Sequence, residues 1–191
     1  MNYLGHLYFS GNDKDLMLAN LYGDFVKGKN LEQYHPKIQE GIHLHRKIDT
    51  FIDTHPSVTE LRLSLYVDLP RVAGIAIDLY FDHLLAKKWD KYHNEILMNY
   101  LENFYLHQPD WEEELNENFT EFLLHFRSKK WLSHYASDFG LRKLSQGVAS
   151  KLSFPNQLHT APELFYKRQK DIEKCFELFM RDAIKNFEIY L

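Results

Sequence analysis

Cysteine is nearly missing from this chain: Cys175 stands alone. Its isolation excludes an internal disulfide and any cysteine-based zinc site, and it suits a reducing compartment. No run approaches the roughly 18 apolar residues of a membrane span. The most apolar stretch, 72–86, is interrupted by Asp78, Asp82 and His83. The opening residues, MNYLGHLYFSGND, are too short and too polar for a signal peptide and lack a basic start. A cytoplasmic protein with no membrane association is therefore expected. Positive charge is not in excess either. Lys and Arg number 23 against 27 Asp and Glu, a net charge of −4, which argues against general nucleic-acid binding. There is no Gly-rich phosphate loop, no G-x-S-x-G elbow and no dinucleotide fingerprint. Repeats and low-complexity tracts are absent, and no period-two alternation persists to suggest strands.

What is present is a helical protein of one domain, residues 1–191. Hydrophobic residues make up 45% of the chain and aromatics 15%, enough for a thick core without staples. Punctuation falls at helix ends. Asn12-Asp13 can cap a helix running to about Gly28, and Pro36 sits where a first helical residue would, opening a helix over 36–54. Thr54-His55-Pro56 restarts the chain into a short helix ending near Tyr66. Pro70 opens the longest apolar helix, 70–92, and helices over 94–107 and 111–128 follow. Ser137-Asp138 begins a shorter one. Thr160-Ala-Pro-Glu163 has the form of a capping box and launches a helix to the C-terminus. The fold class is all-α.

Charged residues then take unusual positions on these helices. In 36–54 the apolar arc is Ile38, Ile42, Ile48 and Ile52; His45 and Asp49 fall in its middle, Asp53 at its edge and Arg46 just beyond. An inward imidazole and carboxylate one turn apart cost several kcal/mol unless paired or metal-bound. In 70–92, Asp78 and Asp82 are one turn apart on a face with Ile75, Phe81 and Leu85, where Arg71 is a possible structural counter-ion. Asp24 shares a stripe with Met17 and Leu21 near a helix C-terminus, where a carboxylate opposes the macrodipole, and His6 precedes that helix. Crowded carboxylates stay ionised only beside a multivalent cation or several arginines. Imidazole and carboxylate without thiolate suit Mn, Fe, Mg or Zn. A di-iron bundle is a poor fit, because Glu32-x-x-His35 and Glu40-x-x-His43 are too close in sequence, with Pro36 between them, to face each other.

Charge is also split along the chain. Residues 108–124 hold six acids and no base, whereas 127–151 hold Arg127, Lys129, Lys130, Arg142, Lys143 and Lys151 against Asp138 alone. Such runs are commonly solvated helix faces, or here a basic dock for an acidic partner.

Several segments carry a resemblance. They are Asn2-x-Leu4-x-His6, Ala19-Asn-Leu-Tyr-Gly-Asp24-Phe, Gly41-Ile-His43-Leu-His45-Arg46-Lys-Ile-Asp49 followed by Asp53, and Arg71-Val through Asp78-Leu-Tyr-Phe-Asp82-His83. Together, with weaker echoes at Lys130-Trp131-Leu132 and Gly147-Val-Ala-Ser150, they look like the acyl carrier protein phosphodiesterases. The resemblance covers nearly the whole chain and is densest over 1–90. It implies a divergent relative of the HD-type metal phosphohydrolases, although the doublet here is reversed, Asp82-His83. It further implies dependence on a divalent ion, manganese first and Mg2+ or Fe2+ next, and removal of the 4′-phosphopantetheine arm from holo acyl carrier protein. The metal ligands would be a subset of His6, Asp24, His45, Asp49, Asp78 and Asp82. Arg46 would clamp a phosphoryl oxygen, His83 or His43 would protonate the leaving serine oxygen, and segment 127–151 would receive the acidic carrier. Two other readings stand beside this one: a phosphohydrolase acting on a nucleotide or small phosphodiester, and a non-catalytic interaction protein whose aspartates form buried ion networks.

Overall fold

A computed structural model describes all residues, 1–191, as helices and turns without strands. Eleven α-helices follow one another: α1 (Tyr3–Tyr8), α2 (Lys14–Tyr22), α3 (Pro36–Thr54), α4 (Pro56–Leu65), α5 (Ala73–Lys87), α6 (Trp89–Tyr92), α7 (Leu97–Tyr105), α8 (Glu117–Lys129), α9 (Asp138–Lys151), α10 (Ala161–Lys167) and α11 (Gln169–Asn186). Their apolar faces meet in one cluster of 56 buried residues. Non-directional burial of apolar area of this kind supplies most of the driving force for folding.

The cap chemistry explains where several of these helices start. The Asp13 carboxylate accepts from Leu16 N at 3.0 Å, Asn116 accepts from Phe119 N, and the Ser137 hydroxyl accepts from Gly140 N. Pro36 and Pro56 occupy first turns, where a missing N–H costs nothing. The bounds of α3 coincide with the expected 36–54.

Elsewhere the helices are shorter than their apolar patterns suggest. The helix opened by Asp13 ends at Tyr22 and tightens into a 3₁₀ turn, Gly23–Phe25, which carries Asp24. The apolar stretch 70–92 starts its helix only at Ala73, because Arg71 is left-handed at φ 67°, and it breaks again at Lys88. Glu112–Glu114 form a separate 3₁₀ turn and not the first turn of α8. The Thr160 side chain makes no capping bond, and the C-terminal helix is divided at Arg168. Arg71 does not act as a counter-ion to the aspartates: its guanidinium lies over the Phe154 ring, 4.1 Å from the centroid.

Two close approaches position the site. A Cβ on Gly41 of α3 would lie 2.4 Å from the backbone of Ala19, so glycine there lets α2 and α3 touch backbone to backbone. A Cβ on Gly23 would strike the His45 imidazole at 2.4 Å, so that ring packs directly against the turn holding Asp24. The second anchor is α5. Asp82 on this helix is fully buried and accepts from Leu4 N at 2.7 Å, Gly5 N at 3.1 Å and Asn2 N at 3.2 Å. These amides are among the unpaired donors of the first turn of α1, so one carboxylate fixes the helix that bears His6.

Candidate functional site

The site lies where α1, the 3₁₀ turn after α2, and α3 converge. His6 and His45 are both buried, and their imidazoles stack with centroids 4.2 Å apart. Asp49, one turn beyond His45, joins them. Its Oδ1 is 3.3 Å from His6 Nε2 and its Oδ2 is 3.1 Å from His45 Nε2. Asp24 Oδ1 is 3.3 Å from the same His45 nitrogen. One donor atom from each of His6, His45 and Asp49 falls within 4.8 Å of the others. The carboxylates of Asp24 and Asp49 remain 57% and 45% exposed, so the buried imidazoles form the floor and the acids form an open edge.

A second layer sets the tautomer of His6, and the sequence reading gave it no role. Asn20 is fully buried in α2. Its Nδ2 donates to the His6 carbonyl at 3.0 Å and to the Ser10 hydroxyl at 2.9 Å, and that hydroxyl donates to the His6 carbonyl at 2.8 Å. Asn20 Oδ1 must then be the acceptor facing His6 Nδ1 at 2.9 Å. The proton of a neutral His6 consequently sits on Nδ1, and its Nε2 lone pair points at Asp49 Oδ1. Two acceptors 3.3 Å apart repel unless a cation lies between them. Burial lowers the His6 pKa, against the pull of Asp49, so a proton is a poor candidate. Two imidazoles and the Asp49 carboxylate, with Asp24 beside His45 and no sulfur, make a donor set that fits a divalent metal ion.

The electrostatics of the other members follow from their neighbours. Burial works against a charged His45, yet the Asp24 and Asp49 carboxylates hold its pKa up at about 9. Burial alone would raise Asp49; the two imidazoles instead hold it far below the usual carboxylate range. His45 Nδ1 is buried without a hydrogen-bond partner. No lysine or arginine pairs with Asp24 or Asp49, so these two acids are not members of a structural ion network with arginines.

The remaining sequence candidates take other places. Asp78 is partly exposed and its Oδ1 lies 3.0 Å from the Met1 amino group; burial raises its pKa while that amine opposes the rise. Both oxygens of Asp82 are committed to the amides of α1, so it is a helix anchor and not a neighbour of the imidazoles. Asp53 is exposed and pairs with Arg62 at 3.5 Å. Arg46 donates from one terminal nitrogen to Gly28 O at 2.7 Å and Val26 O at 3.3 Å, which ties down the segment leaving Asp24. His43 is exposed, since two residues along a helix turn it about 200° from His45. His83 is buried on the other side of α5, its Nδ1 2.7 Å from Tyr135 O and its ring edge-on to Phe165. Neither histidine is hydrogen-bonded to His6, His45 or Asp49.

Half of the basic segment is spoken for within the chain. Arg127 donates to Glu112 and to the His107 carbonyl, Lys130 to Glu102, and Arg142 to Glu163. Lys129, Lys143 and Lys151 make no ion pair and line one cavity between the end of α8 and α9.

Fold and site together define an all-helical protein with a half-open imidazole–carboxylate cluster built from three segments. Comparison with known sequences gives the family. The family model for acyl carrier protein phosphodiesterase matches residues 1–183, and the chain belongs to that family. Relatives bearing the same name are 30% identical in Yersinia pestis, over 94% of this chain and 92% of theirs, and 31% identical in Photorhabdus laumondii, over 100% and 98%. A third, from Yersinia enterocolitica, is 32% identical over 79% of each chain. No solved structure matches. No helix is long and apolar enough to cross a membrane.

Proposed function

We propose that this chain, as one helical domain, hydrolyses the phosphodiester joining 4′-phosphopantetheine to the carrier serine of holo acyl carrier protein. The observation that carries this reading is the meeting of His6, His45 and Asp49 at a solvent-open edge in a chain of this family. His6, His45, Asp49 and Asp24 are the residues that would hold a divalent ion, with Asp78 nearby. Manganese is the first choice, and Mg2+ or Fe2+ suit the same donors. Such an ion, when bound, neutralises phosphoryl charge and acidifies a water molecule.

The protein's own residues do the positioning. Asn20 and Ser10 lock the His6 ring, Asp82 fixes α1, and Arg46 holds the segment that follows Asp24. The reversed Asp82-His83 doublet is consistent with a divergent HD-type phosphohydrolase in which the doublet serves packing. Lys129, Lys143 and Lys151 are the part of segment 127–151 left to attract an acidic carrier. We place the reaction in the cytoplasm, where Cys175 stays a thiol.

Mass spectrometry of holo carrier protein before and after incubation with the protein and Mn2+ tests this. The expected product is apo carrier plus free 4′-phosphopantetheine. An unchanged holo mass, with the same preparation hydrolysing a small phosphodiester, would transfer the activity to another substrate.

A further inference from the structure

The cavity beside α9 has no part in the chemistry described so far. Its volume is about 460 Å3, inside the roughly 300–1,000 Å3 typical of sites for small molecules. Trp131, Phe139, Leu144 and Val148 supply an apolar wall. Phe139 is 60% exposed and Trp131 half-buried, an unusual outlay of aromatic surface for packing alone.

The three lysines free of ion pairs, Lys129, Lys143 and Lys151, also belong to its lining, which favours an apolar chain carried by an anion.

The cavity also adjoins the cluster. Tyr3 is one of its lining residues and lies three positions before His6 on α1, about 4.5 Å along the helix axis. Tyr3 packs on Phe122, which packs on Phe25, the residue after Asp24. A continuous aromatic wall thus runs from the carboxylate edge to the cavity.

We infer that this cavity receives the pantetheine arm of the substrate, its alkyl and thiol end against Trp131 and Phe139, while the phosphodiester lies at His6, His45 and Asp49. The inference rests on the reading under Proposed function for the identity of the arm. No bond is made or broken in the cavity; it binds the portion of the substrate that leaves with the phosphate.

Gly147 provides the test. It lines the cavity on the same face of α9 as Lys143, Leu144 and Lys151, and a Cβ there meets nothing within 4 Å, so Gly147→Phe adds a ring at the cavity rim without displacing the core. Replacing a glycine inside α9 does not cost helix stability. Pantetheine itself is titrated against the protein, read by tryptophan fluorescence, with Trp131→Phe showing that the signal comes from that ring. The wild type is expected to saturate, and Gly147→Phe to bind at least tenfold more weakly. With holo carrier protein as substrate, KM in Gly147→Phe should rise at least tenfold, while turnover of bis(p-nitrophenyl) phosphate stays at the wild-type level. Equal pantetheine affinity in wild type and Gly147→Phe overturns the assignment. So does a wild type that gives no saturable response, or one that responds instead to decanoate or an acidic peptide that pantetheine cannot displace. If the wild type binds pantetheine in the cavity but leaves holo carrier intact, the cavity assignment stands and the proposed reaction falls.

Discussion

Asn20 and His6 face each other across the α1–α2 contact with one orientation available to each, amide oxygen toward Nδ1 and amide nitrogen toward the His6 carbonyl. The pair converts a buried asparagine into the element that decides which imidazole nitrogen looks out at Asp49. Partners of this kind typically contribute 10–100-fold to metal affinity. Asn20→Ala should therefore weaken Mn2+ binding by roughly that factor and lower thermal stability as well, since it strips partners from His6 and Ser10. Calorimetric titration with Mn2+ beside a melting curve measures both; full metal affinity in the variant would remove Asn20 from any positioning role.

Direct ligands should behave differently from the positioning groups. His45→Ala and Asp49→Ala are expected to abolish stoichiometric Mn2+ binding and hydrolysis while the protein remains helical by circular dichroism. Asp49 is solvent-facing, so its removal leaves no cavity in the core, whereas His45 is buried and its removal does, which makes Asp49→Ala the cleaner of the two. Atomic emission analysis of the purified variants provides the count, and retention of one ion per chain in Asp49→Ala would argue against this cluster as the centre.

Metal affinity should carry the titration of His45. In the metal-free fold its pKa is held at about 9 against 6.5 when unfolded. A raised pKa means that this contribution to stability is complete below pH 6.5 and disappears as pH climbs through about 9. An ion must displace that proton, so affinity for Mn2+ should grow about tenfold per pH unit below pH 9 and level off above it. Titrations in buffers of different ionisation enthalpy would report close to one proton released per ion at pH 7; release of none would contradict the His45 assignment.

Asp82 offers a contrast between anchoring and ligation. Asp82→Ala leaves three amides of α1 without their acceptor and should cost on the order of 3 kcal/mol in urea unfolding. The variant should nonetheless still be stabilised by added Mn2+. If instead the ion no longer shifts its melting temperature while the fold is intact, Asp82 is a ligand.

Arg46 can be separated from a phosphoryl clamp in the same spirit. Arg46→Ala frees the segment at Val26 and Gly28, so the expected change is several-fold weaker metal binding through Asp24. A fall in kcat with metal affinity untouched would return the guanidinium to the reacting phosphate.

Much of the fold was legible because helix α3 announces itself. Pro36 starts it, isoleucines recur at helical spacing, and His45 and Asp49 interrupt that stripe where only a polar site tolerates them. Helix α1 was not legible, since six residues are too few to show a period, and its start is fixed by a carboxylate from α5 distant in sequence. That same contact explains why Asp82 resembled a ligand: an inward aspartate on an apolar helix looks identical whether its partner is a cation or a row of amides. Inward orientation could be read for His83 too, but not which wall of the core it met. The acidic and basic runs were visible, whereas the pairing of Lys130 and Arg142 depends on how α7 and α10 fold back, and that of Arg127 on the 3₁₀ turn at Glu112–Glu114, which no local pattern encodes.

The lopsided exposure of the cluster, imidazoles sunk and carboxylates bare, has a kinetic corollary. An ion held on such an edge would keep a short path to bulk water and would exchange with its surroundings on the time of handling, not of unfolding. Dilute chelator should empty the protein while its circular dichroism is unchanged, and a different divalent ion supplied in excess should take the vacated place. The element recovered after purification would then record the last buffer as much as any preference of His6, His45 and Asp49.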